Sequence, residues 1–421
     1  RSARFAIPSV QRMYSSVTPL PEIAPIDLFE PTPVHTHLRE TVRAFAEAEV
    51  DPQANDFNRH ERFNQALFRK LGDMGLLGIT VPEEYGGAGA DVTAACIVHE
   101  ELAAADPAFC LSYLAHSLLF ANNLARNGSD EQKRRLLPRA CSGAGVGGMG
   151  MSEPEAGTDV LGMRTVARRR ADGGYTLAGT KMWITNGTVD GVSVGDFFLV
   201  YARIVGEQEG AGAAAAAGGG GSGSKISLFV VEKGTPGFSL GQQIKDKCGM
   251  RASPTAELVF DNCHIPSSNL VGEEGGAVKC MMRNLEIERL CLAAMSCGIA
   301  KRSVEVMSRY AEDRKAFGQS LLNFGQIQRL IGESYAKMRA GRSYLYATAA
   351  RLDLDQDPSQ SRNRLDTDGV KLFCGAMGKE CADAAMQVMG GYGYVGSNQV
   401  ERLWRDSKLL EIGGGTNEAH H

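Results

Sequence analysis

Apolar residues spaced three and four apart dominate the chain from Thr36 to about Ala144. "LRETVRAFAEAEV" and "NQALFRKLGDMGLLGI" carry that period, and "DVTAACIVHEELAAAD" and "SDEQKRRLLPRACSG" continue it after the breaker "PEEYGGAGAD". Ser129 stands at an N-cap position with Gln132 three residues on, the spacing of a capping box. The texture changes near Gly145. Up to about Leu270 come short runs bounded by Gly, Asn, Asp and Pro: "YTLAGTKMWITNG", "FFLVYARI", "KISLFVVEK" and "AELVFDNCHIP". These predict β-strands in a barrel-like or sandwich-like middle region. From Val271 the helical period returns in three long patterns, beginning at "AVKCMMRNLEIERL", "FGQIQRLIGESY" and "LDTDGVKLFCGAM". Helices, then strands, then helices describe an α+β chain with segregated layers.

One stretch breaks the apolar pattern in an informative way. On a helix over 281–299, Met281, Leu285, Leu292, Met295 and Ile299 share a stripe, and Glu288 lies in its middle. A carboxylate among apolar neighbours costs several kcal/mol to ionise unless something compensates it. Its pKa should therefore rise toward the range useful to a base at neutral pH. The alternative is a structural role in a buried ion pair, with Arg289 as the nearest cation. Glu286 is turned about 160° away; with Arg283 and Arg289 three positions to either side, it reads as a solvated or paired surface charge.

Composition narrows the field. At 421 residues the chain exceeds one ordinary core, so two or three domains are expected. A formal net charge of -4 leaves no basic footprint for nucleic acid, and no apolar run is long enough to span a bilayer as a helix. The 10 cysteines are scattered singly, without the spacing of a metal site or a disulfide framework, which suits reduced thiols. The first 21 residues carry Arg and Ser but no acidic residue and lack an initiator Met. They read as the end of a mitochondrial transit peptide, already truncated, or as an ordinary disordered terminus. The Gly/Ala-rich segment 206–225 lacks the G-K-[ST] of a P-loop and is expected to be a mobile insert.

Five further stretches, in this order, resemble the motifs of the acyl-CoA dehydrogenase family of flavoenzymes, over about residues 35–418: "GMSEPEAGTD", "KMWITNG", "RKAFGQ", "QVMGGYGYV" and "GGGTNE". The resemblance implies an N-terminal α-helical domain (35–145), a middle β-barrel or sandwich domain (146–270) and a C-terminal four-helix-bundle domain (271–421), after a terminal segment 1–34. It implies FAD, contacted by Met149, Met151, Ser152, Gly157, Thr158, Trp183, Ile184, Thr185, Arg314, Phe317, Gln387, Gly390, Gly391, Thr416 and Glu418. It implies acyl-CoA contacts at Thr158, Tyr201, Ala202, Lys279, Glu286, Ile287, Arg289, Gly414 and Gly415. In most of the family the catalytic glutamate stands immediately before the closing Gly-Thr, a place held here by Gly414. "LEIERL" is similar instead to the isovaleryl-CoA dehydrogenase branch, which carries its base on a helix of the last domain; that position is Glu288. The implied reaction is α,β-dehydrogenation of a short branched acyl-CoA. Glu288 takes the α-proton, a hydride leaves for the flavin N5, and the Gly414 N–H polarises the thioester oxygen. Isovaleryl-CoA is the implied substrate; 2-methylbutyryl-CoA, a short straight chain, or a catalytically silent binding role are the alternatives. An electron-transfer flavoprotein as acceptor, a homotetramer and the mitochondrial matrix follow from the same resemblance. Two departures stand out. Gly325 occupies the place of a cofactor-binding glutamine, with Gln326 one position later. "AHH" follows where the family continues into a further helix, so the last turns are expected to lie beyond this sequence.

Overall fold

The computed structural model describes residues 27–206, 225–353 and 363–421. Residues 207–224, nearly all of the insert expected to be mobile, lie outside the described residues, as does the arginine- and serine-rich terminus.

The chain opens with α1 (Pro33–Phe45), α2 (Asp51–Arg59), α3 (Gln65–Asp73), α4 (Val92–Ala105), α5 (Pro107–Leu114), α6 (Asn123–Asn127) and α7 (Asp130–Cys141). Helix α1 starts three residues before the expected Thr36. Thr32 caps it by accepting from the His35 N–H, and Pro33 has no N–H to leave unpaired. The capping box at α7 is present: Ser129 Oγ accepts from Gln132 N at 3.2 Å, and Gln132 Oε1 from Ser129 N at 3.0 Å. Wider π-helical turns at Ala46–Val50 and Ala115–Asn122 join α1 to α2 and α5 to α6.

The middle of the chain is one eight-stranded sheet: β1 (Gly147–Gly150), β2 (Val166–Arg169), β3 (Tyr175–Thr185), β4 (Phe197–Val205), β5 (Ile226–Glu232), β6 (Phe238–Gln243), β7 (Thr255–Ile265) and β8 (Leu270–Val271). Its order is β6-β7-β3-β2-β4-β5-β8, with β1 paired parallel to β4. The alternating core of β4 divides its side chains. Phe197, Leu199 and Tyr201 pack toward the helices, while Phe198, Val200 and Ala202 fill the other face.

Three long helices follow, α8 (Ala277–Asp313), α9 (Gly325–Ala349) and α10 (Asn363–Met389), with a short β9–β10 hairpin (Lys315–Ala316, Gln319–Ser320) between the first two. A one-turn α11 (Gly391–Tyr394) and α12 (Gln399–Ser407) lead to the closing segment. Helix α8 is the hub: it packs on α10, α4 and α9 at once. Every residue from Asn284 to Ala300 is buried, polar ones included. That overturns the surface placement expected for Glu286, which is buried and not a solvated charge; the paired alternative stands. A surface helix has one wet face, but α8 runs between the N-terminal helices and the bundle and has none over this stretch.

Candidate active site

Burial of α8 sets the chemistry at Glu288. The residue is 7 % exposed, and its Oε2 is enclosed with no hydrogen-bond partner among the described residues. Burial pushes the carboxyl up to about 7, against the opposing pull of the Arg289 and Lys371 charges. Arg289 does not form the structural ion pair considered from the sequence. Its Nη1 donates to Asp368 Oδ1 at 2.6 Å and its Nε to the Gly414 carbonyl at 3.2 Å. Glu288 thus keeps an acceptor oxygen and a raised pKa, the two properties a general base needs.

Gly414 lies opposite. Its φ is +68°, a left-handed value that a residue with a side chain adopts at a cost. A Cβ built there would stand 2.5 Å from Leu292 Cδ1 and 3.8 Å from Glu288 Oε1. The first atom of a side chain there would run into Leu292 and come within van der Waals reach of the carboxylate, so positions 414 and 288 border the same small volume.

Two other groups of expected residues are assembled separately. Around the end of β1, the Met182 N–H donates to the Ser152 carbonyl at 2.9 Å, and Lys181 Nζ donates to the Met151 carbonyl at 3.1 Å and to Glu153 Oε1 at 2.8 Å. This ties the loop after β1 to β3, with Met151 and Ser152 held against Lys181 and Met182, and the Thr185 carbonyl close against Gly148 of β1. Trp183 departs from its strand here. It has φ +65° and is 61 % exposed between buried Met182 and Ile184, so a flat aromatic face is presented outward. Gly157 and Thr158 are exposed on the same loop.

The second group lies at the far end of the bundle. Arg314, Leu321, Gly390, Gly391, Tyr392 and Val395 line a cleft of about 510 Å³, with the Arg314 guanidinium 5.9 Å from the Tyr392 ring. Phe317 sits on the neighbouring hairpin, φ +51° and almost wholly exposed, and Gln387 is exposed at the end of α10. Gln326 is exposed beside Gly325 in the first turn of α9, where its Oε1 accepts from Arg329 Nε at 3.1 Å.

The remaining expected contacts divide sharply. Gly415 and Thr416 stay with Gly414 at the Glu288 turn, while Glu418 is exposed just beyond it. Ile287 is buried in the core, and Lys279 is exposed in the first turn of α8. Tyr201 and Ala202 have no exposed surface, and Tyr201 Oη accepts from Asn123 Nδ2 at 3.3 Å. Sequence reasoning missed Asn284, one turn before Glu288. It is 3 % exposed with an unpartnered Nδ2, while its Oδ1 accepts from Asn122 at 3.3 Å. A polar residue four before the glutamate was the available signal.

Three family models cover nearly the whole chain: acyl-CoA dehydrogenase N-terminal domain over residues 32–144, middle domain over 148–263 and C-terminal domain over 276–421. The chain belongs to the acyl-CoA dehydrogenase family. It is 40% identical over 395 residues to isovaleryl-CoA dehydrogenase, mitochondrial, of Solanum tuberosum, covering 93% of this chain and 89% of that one. It is 38% identical to 2-methylacyl-CoA dehydrogenase, mitochondrial, of the same plant, covering 90% and 87%. Among solved structures, butyryl-CoA dehydrogenase from Megasphaera elsdenii superposes with a TM-score of 0.82 at 30% identity, covering 92% of this chain and 96% of that one. An acyl-CoA dehydrogenase complexed with FAD from Bacillus anthracis gives 0.81 at 30%, covering 92% and 65%. The fold is that of an acyl-CoA dehydrogenase, helical, then sheet, then helical, and the protein is an FAD-dependent oxidoreductase of this family. Its residues fit the cofactor. Trp183 offers an exposed ring of the kind a flat heterocycle stacks on, and the Arg314 cleft joins a guanidinium to open backbone at Gly390 and Gly391, where an added Cβ would touch nothing within 4 Å.

Proposed function

We propose that this chain catalyses the α,β-dehydrogenation of isovaleryl-CoA to 3-methylcrotonyl-CoA, with Glu288 as the base. One observation carries the reading: a buried carboxylate with an unpartnered oxygen faces a glycine where a Cβ would come within 3.8 Å of it. Bound FAD supplies the hydride acceptor. The chain's residues do the rest. Glu288, ionised at its free oxygen, removes the α-proton of the thioester. The Gly414 N–H donates to the thioester oxygen, where negative charge builds as the proton leaves. Leu292 and the apolar stripe of α8 keep water from the carboxylate. Ser152, Trp183, Ile184 and Thr185 would hold the flavin ring, and Arg314, Gly390 and Gly391 the phosphate and adenine side. Gly413, where an added Cβ would meet only Leu409, leaves space for a branched acyl end. The two relatives named for isovaleryl-CoA and 2-methylacyl-CoA support a branched substrate.

The exposed Phe317 and Arg314, standing apart from the Trp183 edge, support a homotetramer in which one copy completes another's cofactor site. A mitochondrial matrix location accords with the relatives' mitochondrial names, and transfer of electrons to an electron-transfer flavoprotein belongs to the same proposal.

Anaerobic isovaleryl-CoA should bleach the oxidised flavin, and kcat/KM should favour it over its isomer 2-methylbutyryl-CoA and over butyryl-CoA; for the latter, one carbon shorter, the difference is worth about 1 to 3 kcal/mol, roughly tenfold or more. A higher value for 2-methylbutyryl-CoA would reassign the substrate to the 2-methyl branch. Glu288→Gln should retain flavin and lose about 10²–10⁴-fold in kcat. Parent turnover in that variant would remove the base assignment.

A further inference from the structure

The Glu288 assignment accounts for neither the burial of Lys371 nor its partners. Lys371 is 1 % exposed on α10, and its Nζ donates to the Gly415 carbonyl and to Asn417 Oδ1, the latter at 3.2 Å. Arg289, from α8, holds the preceding carbonyl, that of Gly414. Two successive peptides of one turn are therefore gripped by two cations from two helices. On the upstream side the Gly413 N–H donates to the Leu409 carbonyl at 2.8 Å. Gly414 and Gly415 have φ of +68° and +100°, in a stretch of three glycines where no side chain restrains the backbone. Such a turn holds one shape only if something outside it does the holding. The Gly413–Gly414 peptide, which carries the N–H facing the thioester, lies between these anchors.

We propose that Lys371 is a positioning residue for proton abstraction, fixing the Gly414–Thr416 turn against the bundle while its positive charge acts through space on the Glu288 carboxylate. The proposal rests on Glu288 being the base. Arg289 would be insufficient alone, because its guanidinium is shared with Asp368. Lys371 can fill both roles at neutral pH: burial, and after it the Arg289 charge, lower its pKa only to about 8, so it remains a cation. The surrounding groups are few. Glu288 feels Arg289 from its own helix and Lys371 from α10, and its charge in turn acts on Cys291 and Tyr201. Lys371 feels Glu411 and Glu418 of the closing segment, while the His420 ring packs at Gly415 with Nδ1 3.5 Å from Asp368.

The test compares flavin-loaded Lys371→Met, Glu288→Gln and parent protein. Losing a charged hydrogen bond that matters mainly in the transition state should lower kcat of Lys371→Met by about tenfold or more. KM should stay within about threefold. The acid limb of its kcat profile should move to higher pH, because Glu288 loses a cation that favours its ionised form. Amide hydrogen exchange at residues 412–417 should accelerate. Lys371→Gln keeps a donor without the charge and is read by the same measurements should Lys371→Met not fold. A kcat within about twofold of parent, or a loss that follows flavin content with the acid limb and the exchange unmoved, would overturn the proposal. If Glu288→Gln is inactive while Lys371→Met behaves as parent, this inference alone fails. If Glu288→Gln turns over normally, the base assignment on which it rests has failed.

Discussion

An unpaired carboxylate oxygen sealed among apolar side chains is an expensive thing to keep, and Glu288 has consequences for stability as well as for rate. Burial raises its pKa to about 7 from an ordinary 4.5. Between those values the folded chain binds a proton that the unfolded chain has released, so this group's contribution favours folding less as pH rises from about 4.5 to 7. The full penalty, about 3 kcal/mol, is reached above pH 7. On the role proposed for Glu288, activity runs the other way, since only an ionised carboxylate accepts a proton. Turnover should climb through an apparent pKa near 7, while Glu288→Gln should be more heat-stable than parent at pH 8 and nearly equal to it at pH 5. Melting curves of both proteins at the two pH values test this; equal melting temperatures at pH 8 would mean that the carboxylate is solvated. At this scale the sequence was informative, because a glutamate in an apolar helical stripe stands out by spacing alone. Asn284 and Lys371 did not stand out. Their roles come from what faces them across the fold, and periodicity carries no record of that.

Elements are tied by a few polar contacts whose removal should be felt along the whole segment. Lys181 on β3 has no exposed surface; burial lowers its pKa to about 8 despite Glu153, and the pair joins β3 to the loop after β1. Glu153 also accepts from the Thr165 N–H at 2.9 Å, so one carboxylate anchors both ends of the loop that carries Ser152 and Thr158. Lys181→Met would strand that carboxylate in a buried site, at a cost of about 3 to 5 kcal/mol. Adding Glu153→Gln should restore much of the loss, since a neutral amide is cheaper to bury. Urea unfolding of the two single variants and the double variant completes the cycle, and flavin retention on dilution should fall in step with the single Lys181 change. Additive losses would mean that the two side chains act independently. The long strands β3, β4, β5 and β7 were legible as apolar runs. The four-residue β1 and β2 and the marginal β6 were not: "GGMG" has no pattern to read, and its pairing with β4 is decided by neighbours far along the chain. The π-helical turns escaped for a similar reason, being a small widening of a helix whose apolar spacing stays nearly regular.

Across the whole molecule, the N-terminal helices are joined to the C-terminal bundle through one buried charge network. Arg39 of α1 donates from Nη1 to Glu100 Oε2 and to Glu101 Oε1, both at 2.7 Å, and from Nη2 to Tyr346 Oη at 2.7 Å. Tyr346 Oη passes a hydrogen bond on to Glu100 Oε2 at 2.6 Å, and Arg342 of α9 and Lys301 of α8 complete the shell. Four helices from both ends of the sequence thus share two adjacent carboxylates, which only long-range packing could have brought together. Burial alone would push Glu101 up, but hydrogen bonds from Arg43 and Lys301 hold it at about 2. A depressed carboxylate stabilises the fold above its unfolded pKa, and that contribution is lost as pH falls from about 4.5 toward 2. Arg39→Met removes the cation that, among the described residues, bridges both carboxylates, and leaves them side by side. The expected loss is about 3 to 5 kcal/mol at pH 7. It should shrink at pH 4, where Glu100, fully buried and no longer facing the Arg39 charge that helped to lower its pKa, takes up a proton and the repulsion with Glu101 is relieved. Urea titrations at both pH values, followed by tryptophan fluorescence and by circular dichroism, measure it. Coincident transitions in the variant would mark a weakened but still single unit, whereas an early circular-dichroism transition would mark release of the N-terminal helices from the bundle. A loss below about 1 kcal/mol, the range of an exposed pair, would show that the network is not what joins the two ends of the chain around Glu288.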